Sequence, residues 1–328
     1  MTTQTSDKLT LFASNVQTIR KEFRWHSILT RRLAALLYAQ KGRQINCDAI
    51  RQCLDLIKQN TGVFSTFRGN MALSIATLLS LSPNPQWLFD ETLQVYNLLK
   101  GAKLRASDYL VVAAFEIASQ TSPANYAIAV ERTRAFYDGM KAKRFFSTGQ
   151  DDYIFAAMLG LSDIDVTAGV ERVEQLHSRL KGEFWNRNSV QALSQVLVLG
   201  GSDEDNLCCI LALRDAFRAE NLRLDKCYTL PTLGILALLP VELGTIVQNI
   251  HQTQQTLRTK KGFGKFSVSK QELLLFASAV VAGAYAQSME DGVLTATIST
   301  SIANIIIAQQ VAMIAAISAS TAAAAAAG

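Results

Sequence analysis

The densest polar chemistry in this 328-residue sequence lies in "TGQDD", Thr148 to Asp152. Two adjacent carboxylates, Asp151 and Asp152, could hold Mg²⁺, a hard cation that takes oxygen ligands. Adjacent residues on a helix diverge by about 100°, however, and a metal site draws ligands from other segments as well. The same acids at a helix start would complement its dipole and satisfy its free N–H groups. An apolar run, "YIFAAMLGL", follows directly, so the capping role is the expectation and no metal is assigned.

Other chemistry-bearing residues are sparse. His26, His177 and His251 belong to no HExxH pattern and lie near no cysteine in sequence; the latter two sit in amphipathic stretches, where a partly exposed histidine is ordinary. The five cysteines, Cys47, Cys53, Cys208, Cys209 and Cys227, are odd in number and contain no CxxC pair. That argues against a disulfide framework or a zinc site and fits a reducing cytoplasm. "GFGKF" at Gly262 lacks a hydroxyl residue after its lysine and a strand before its first glycine, so it is a weak phosphate loop. No cofactor is expected.

What must position these residues is a repeat. A large apolar residue opens a similar unit at Phe23, Phe64, Leu104, Phe145, Trp185, Leu224 and Phe266, about 40 residues apart. Each opener precedes a few polar residues, an apolar run such as "NMALSIATLLSL" or "SDYLVVAAFEIA", a break, and an amphipathic run such as "QWLFDETLQVYNLLK". Apolar positions in the second run recur at three and four residues, the helical period. The breaks "LSPNP", "TSPAN" and "LSDID" supply Ser, Asp and Pro suited to a helix start. Gly62, Gly101, Gly139, Gly182 and Gly262, with Asn221 in the fifth unit, stand where the second helices should stop in a left-handed residue. The opener a few residues later should pack back over the last helical turn.

Two helices per 40-residue unit predict an all-α fold: an α-solenoid of about seven helical hairpins with a C-terminal Ala-rich helix. The expected divisions are an N-terminal capping helix over 1–22, hairpin repeats over 23–290, and an uncharged helix and tail over 291–328. Equal repeat phase places side chains on one edge of such an array. Arg68 and Asn70, Asp108, Gln150 with Asp151 and Asp152, and Asn188 would then line one rim. Free N–H groups at several helix starts would suit that rim to an anion or a peptide terminus. Capping alone explains most of the same residues.

Composition narrows the partners. The chain carries 32 basic and 27 acidic residues, with no run of like charge. Nucleic-acid binders concentrate Lys and Arg on a stripe, so such a partner is not expected. The N-terminal "MTTQTSDKLTLFAS" has no apolar signal core. The last 37 residues are uncharged, long enough for a membrane span, but Asn304, Gln309 and Gln310 fall in its middle and no basic or aromatic belt flanks it. A helix over about 293–317 packed on the last repeats is favoured over a membrane span, and self-association through that helix is a third reading.

Several phrases, "FRW" at Phe23, "LYAQKGR", "TGVFSTFRGN", "TGQDD" and "NSVQALSQVLVLGG", together resemble an uncharacterised bacterial family, the domain of unknown function 4003. The resemblance extends to about Gly283. It implies a cytoplasmic bacterial protein and supplies no catalytic residues. The functional expectation is a non-enzymatic scaffold that binds a protein or peptide. The rivals are an α/α-toroid enzyme whose pocket is lined by acidic helix starts, and a membrane-tethered scaffold. Contact between the first and last hairpins would favour the toroid over an open array.

Overall fold

The computed structural model describes residues 1–290 apart from 145–146, 202–203 and 227–228. Phe145, Phe146 and the expected helix over 293–317 lie outside the described residues. Among those described, the chain is all-helical and holds no strand. Its α-helices are α1 (Thr3–Glu22), α2 (Ile28–Gln40), α3 (Cys47–Asn60), α4 (Ala72–Ser80), α5 (Pro85–Gly101), α6 (Asp108–Gln120) and α7 (Tyr126–Lys143). They continue with α8 (Tyr153–Leu161), α9 (Val166–Leu180), α10 (Arg187–Leu199), α11 (Glu204–Ala219), α12 (Leu230–Ala237), α13 (Leu243–Thr259) and α14 (Lys270–Glu290). None of them is long and apolar enough to cross a membrane.

Two kinds of helix alternate. In α4 every residue from Ala72 to Ser80 is buried, and in α6 every residue from Leu110 to Ala118. A helix that is apolar all round must be enclosed by others. In α3, by contrast, only Ile50, Cys53, Leu54 and Ile57 are buried, at spacings of three and four. Starts follow local chemistry. Ser27, Asn46 and Ser107 accept side-chain hydrogen bonds from the backbone N–H groups of Thr30, Ala49 and Leu110. At α5, Asn84 caps Trp87 and Pro85 fills the first position, where no N–H is needed.

The helices divide into two compact units. Among the described residues, one is built from 1–45 and 181–290, the other from 46–180. In the first unit α1 and α2 pack on α14, and α1 also on α13. Phe12 meets Phe263 and Phe276 at ring-centroid distances of 5.3 and 5.5 Å. Arg32, itself buried, donates to the carbonyls of Gly262 (2.9 Å) and Ser267 (2.8 Å). The apolar α14, which the sequence left in need of a C-terminal cover, is thus covered by the first helices of the chain. In the second unit α5 packs with α6, α7 with α8, and α6 with α8. There Arg132 on α7 donates to the carbonyls of Gly160, Ser162 and Ile164, tying down the chain between α8 and α9.

Three local expectations need correction. Gly62, Gly101, Gly139 and Gly182 are not left-handed; among the described residues that conformation falls to Lys103 (φ 67°), Asn221 (φ 55°), Gly42, Gly201 and Gly262. Gly101 is instead the last residue of α5, and the chain runs two residues further before it reverses. The openers Phe64, Trp185 and Phe266 do not pack back. They are fully exposed, while Phe67, Phe184 and Phe263 beside them fill the core. His177, expected at a partly exposed position, is wholly buried.

Candidate functional site

The predicted rim residues separate into those that build the fold and those left facing outward. In the unit of residues 46–180, a 3-10 turn at Thr66–Arg68 packs against α6, and α6 packs against a second 3-10 turn at Gln150–Asp152. This brings the segments of Arg68, Asn70, Asp108 and Gln150–Asp152 to neighbouring helix starts. Asn188, the second residue of α10, belongs to the other unit and is exposed; the cap of α10 is Asn186, which accepts from Ser189 N–H at 2.9 Å.

Arg68 folds back on the end of α3. Its Nε donates to Thr61 Oγ1 at 3.1 Å, and its Nη2 donates to the carbonyls of Lys58 and Thr61. A cation there satisfies acceptors that a helix end leaves open and suits the negative end of the dipole. Asp152 is buried and accepts from Gly149 N–H at 2.9 Å, closing the turn that precedes α8. Tyr153 Oη accepts from Arg105 N–H at 3.1 Å, and its ring stands edge-on to Tyr137 at 4.9 Å. Gln150 is half-buried and Asn70 exposed.

Asp108 and Asp151 are different. Asp108 opens α6, but the cap is Ser107, and no hydrogen bond holds the Asp108 carboxylate among the described residues. The carboxylate lies against the bare Cα of Gly69, where a Cβ would stand 2.9 Å from Asp108 Oδ1. Asp151 Oδ1 lies likewise over Gly149, at 2.6 Å from the position of a Cβ. Both carboxyls are held above their ordinary range, chiefly because the surrounding protein strips water from the charged form. At Asp151 its own backbone N–H offsets part of that rise. Asp151 nevertheless reaches solvent and Asp108 is half-buried. A carboxyl carrying this penalty gains from a cationic neighbour, which favours its charged form. No group of three or more His, Cys, Asp or Glu side chains suited to a metal is present among the described residues.

Several of the predicted rim side chains are taken up by the fold itself. Arg68 was grouped with the rim although it serves the end of α3. The Asp108 carboxylate packs on Gly69, nearly 40 residues away, a contact of which spacing alone carries no trace. The exposed aromatic tips were also missed, although an aromatic residue beside Lys or Arg recurs in "KEFRW", "KGEFWNR" and "KKGFGKF".

No curated protein matches the chain, and no solved structure does. The model of the family described as "Protein of unknown function (DUF4003)" matches residues 15–311. That match spans most of the sequence, so the chain belongs to this family.

Proposed function

We propose that this protein is a non-enzymatic helical-repeat scaffold of the cytoplasm, an α-solenoid of about seven hairpins that binds a protein or peptide. The apolar helices begin at Ile28, Ala72, Asp108, Tyr153, Arg187, Leu230 and Lys270, about 40 residues apart on average, which supports the repeat. The observation that carries the binding reading is the pair Asp108 and Asp151. These carboxylates stand at neighbouring helix starts with their charged forms penalised, and no hydrogen bond among the described residues holds that of Asp108. An amino terminus or a Lys or Arg side chain of a partner would replace the water they have lost. The test is a panel of labelled peptides differing in basic content and in a free or acetylated N-terminus, read by fluorescence anisotropy. Binding of the basic or free-amine members, lost in Asp108→Asn/Asp151→Asn with melting retained, supports the reading. Equal binding by the double variant removes it.

The toroid enzyme is the second reading. The packing of α1 and α2 on α13 and α14 favours it, as do two carboxyls shifted toward the protonation state a general acid needs.

A further inference from the structure

The unit built from residues 1–45 and 181–290 gathers four connecting segments at one end. With the helix ends that flank them, these are 20–27 from the last turn of α1, 181–187 up to the first residue of α10, 220–229 between α11 and α12, and 260–270 from α13 to the first residue of α14. Their proximity follows from the bonds that join them. Gln17, near the end of α1, donates to the Lys261 carbonyl, and Arg32 donates to those of Gly262 and Ser267. Lys270 Nζ donates to the Asn221 carbonyl and Gln271 Nε2 to that of Arg223, both at 2.7 Å. Arg214, late in α11, pairs with Glu183 at 2.7 Å.

Two properties coincide there. The first is apolar: Trp25, Trp185 and Phe266 stand at loop tips with relative exposures of 95, 98 and 109%, and Ile28 adds 51%. Folding normally buries such side chains, since each carries a large apolar surface. The second is charge. The four segments hold eleven Lys and Arg residues against four acids, Glu22, Glu183, Glu220 and Asp225. Two of those acids are already paired within the fold, Glu183 with Arg214 and Asp225 with Arg218 and Arg223. The whole chain has a net charge of only +5, so the remainder of the protein is net acidic. Basic residues scattered in sequence are therefore concentrated in space, contrary to the even distribution that the sequence suggested.

We propose that this end of the unit docks on an anionic phospholipid surface. Trp25, Trp185 and Phe266 enter the headgroup layer, and Lys260, Lys261 and Lys265, with Lys21 and Arg24, lie on its phosphates. Apolar tips among cations match an interface whose outer layer is anionic and whose next layer is apolar. A single-stranded nucleic acid asks for rings arranged along a groove as stacking platforms; these rings stand on separate loops, and none contacts another aromatic ring among the described residues. The other unit has a similarly basic composition in its own connecting segments and the helix ends beside them. Segments 61–70, 101–107 and 141–149 hold six basic and no acidic residues, and Phe64 there is fully exposed. This inference is independent of the peptide site at Asp108 and Asp151.

The test is co-sedimentation of the full chain with phosphatidylcholine vesicles, with and without phosphatidylglycerol, beside a fluorescent single-stranded oligonucleotide. The expected result is binding to the anionic vesicles alone, weakened by salt. Lys260→Glu/Lys261→Glu/Lys265→Glu should reduce it by about tenfold or more. Trp185→Ala/Phe266→Ala should reduce it several-fold and, with both side chains in solvent, leave melting unchanged. Absence of vesicle binding, binding that both sets of variants leave intact, or tighter binding to the oligonucleotide than to vesicles would each overturn the proposal.

Discussion

The side-chain amide of Gln40 occupies the space that a side chain on residue 283 would need. A Cβ built on Gly283 would collide with the Gln40 amide, whose Nε2 donates to the Ala279 carbonyl at 2.8 Å. This contact joins α2 to α14 across more than 230 residues of sequence, and it requires glycine for space rather than for its backbone freedom. Gly283→Ala should therefore push the Gln40 amide aside and break its bond to the Ala279 carbonyl, lowering stability by about 0.5–1.5 kcal/mol, the net worth of one such hydrogen bond. Gln40→Ala in the same chain should return part of that loss. Chemical denaturation of the two single variants and the double variant measures the coupling.

Arg32 is the second tie between these helices. It is buried, and burial lowers its guanidinium to about 10. It bonds two carbonyls and lies 5.7 Å from the Phe263 ring centroid. Arg32→Met keeps much of the apolar volume and leaves the Gly262 and Ser267 carbonyls without this donor. The expected loss is about 2–4 kcal/mol, as for charged hydrogen bonds made in a buried setting, read from the denaturant midpoint.

The glycine in the loop after α13 and the glycine that ends α5 should respond in opposite ways. Gly262 has φ +91° and lies against Gln17, so Gly262→Ala should cost about 1 kcal/mol or more. Gly101 has helical geometry and open space around it, so Gly101→Ala should gain about 0.4–1 kcal/mol. Thermal melts of the two variants check the pair.

Much of the local architecture was legible before the structure. The alternation of apolar and amphipathic helices is written in their periodicity, and Ser27, Ser107 and Asn84-Pro85 mark starts that the fold uses. Asn221 and Gly262 are left-handed where the pattern placed them. Gly101 misled because a glycine can also end a helix in ordinary geometry, with Lys103 making the reversal. Trp185 misled because its neighbour Phe184 takes the core position beneath Arg214. The packing of α1 on α14 rests on contacts between the two ends of the described chain, which no local pattern encodes. The same holds for Asp108, whose carboxyl is raised by neighbours distant in sequence.

A pH dependence follows from that rise. A carboxyl whose folded pKa lies above its unfolded value, about 4 for aspartate, weakens the fold as pH climbs through the folded value. Below the unfolded value both states are protonated and the penalty is absent. Asp108→Asn removes the penalty and keeps a polar side chain at the first position of α6. Its melting temperature should exceed that of the parent at pH 7, with the difference closing as pH falls toward 4. A lower melting temperature at pH 7 would show that the favourable dipole interaction of the charged form outweighs its desolvation.

The most direct test of the central claim, that carboxylates at two neighbouring helix starts await a cationic partner, is a titration of the aspartate carboxyl carbons by ¹³C NMR. Asp108→Asn and Asp151→Asn variants would assign the two signals. Both groups should titrate above the ordinary aspartate range, as desolvation at the two helix starts requires, and both midpoints should fall when a peptide from the bound class is added. Two carboxyls that titrate at or below the ordinary range, unmoved by any basic or free-amine peptide, would contradict the account.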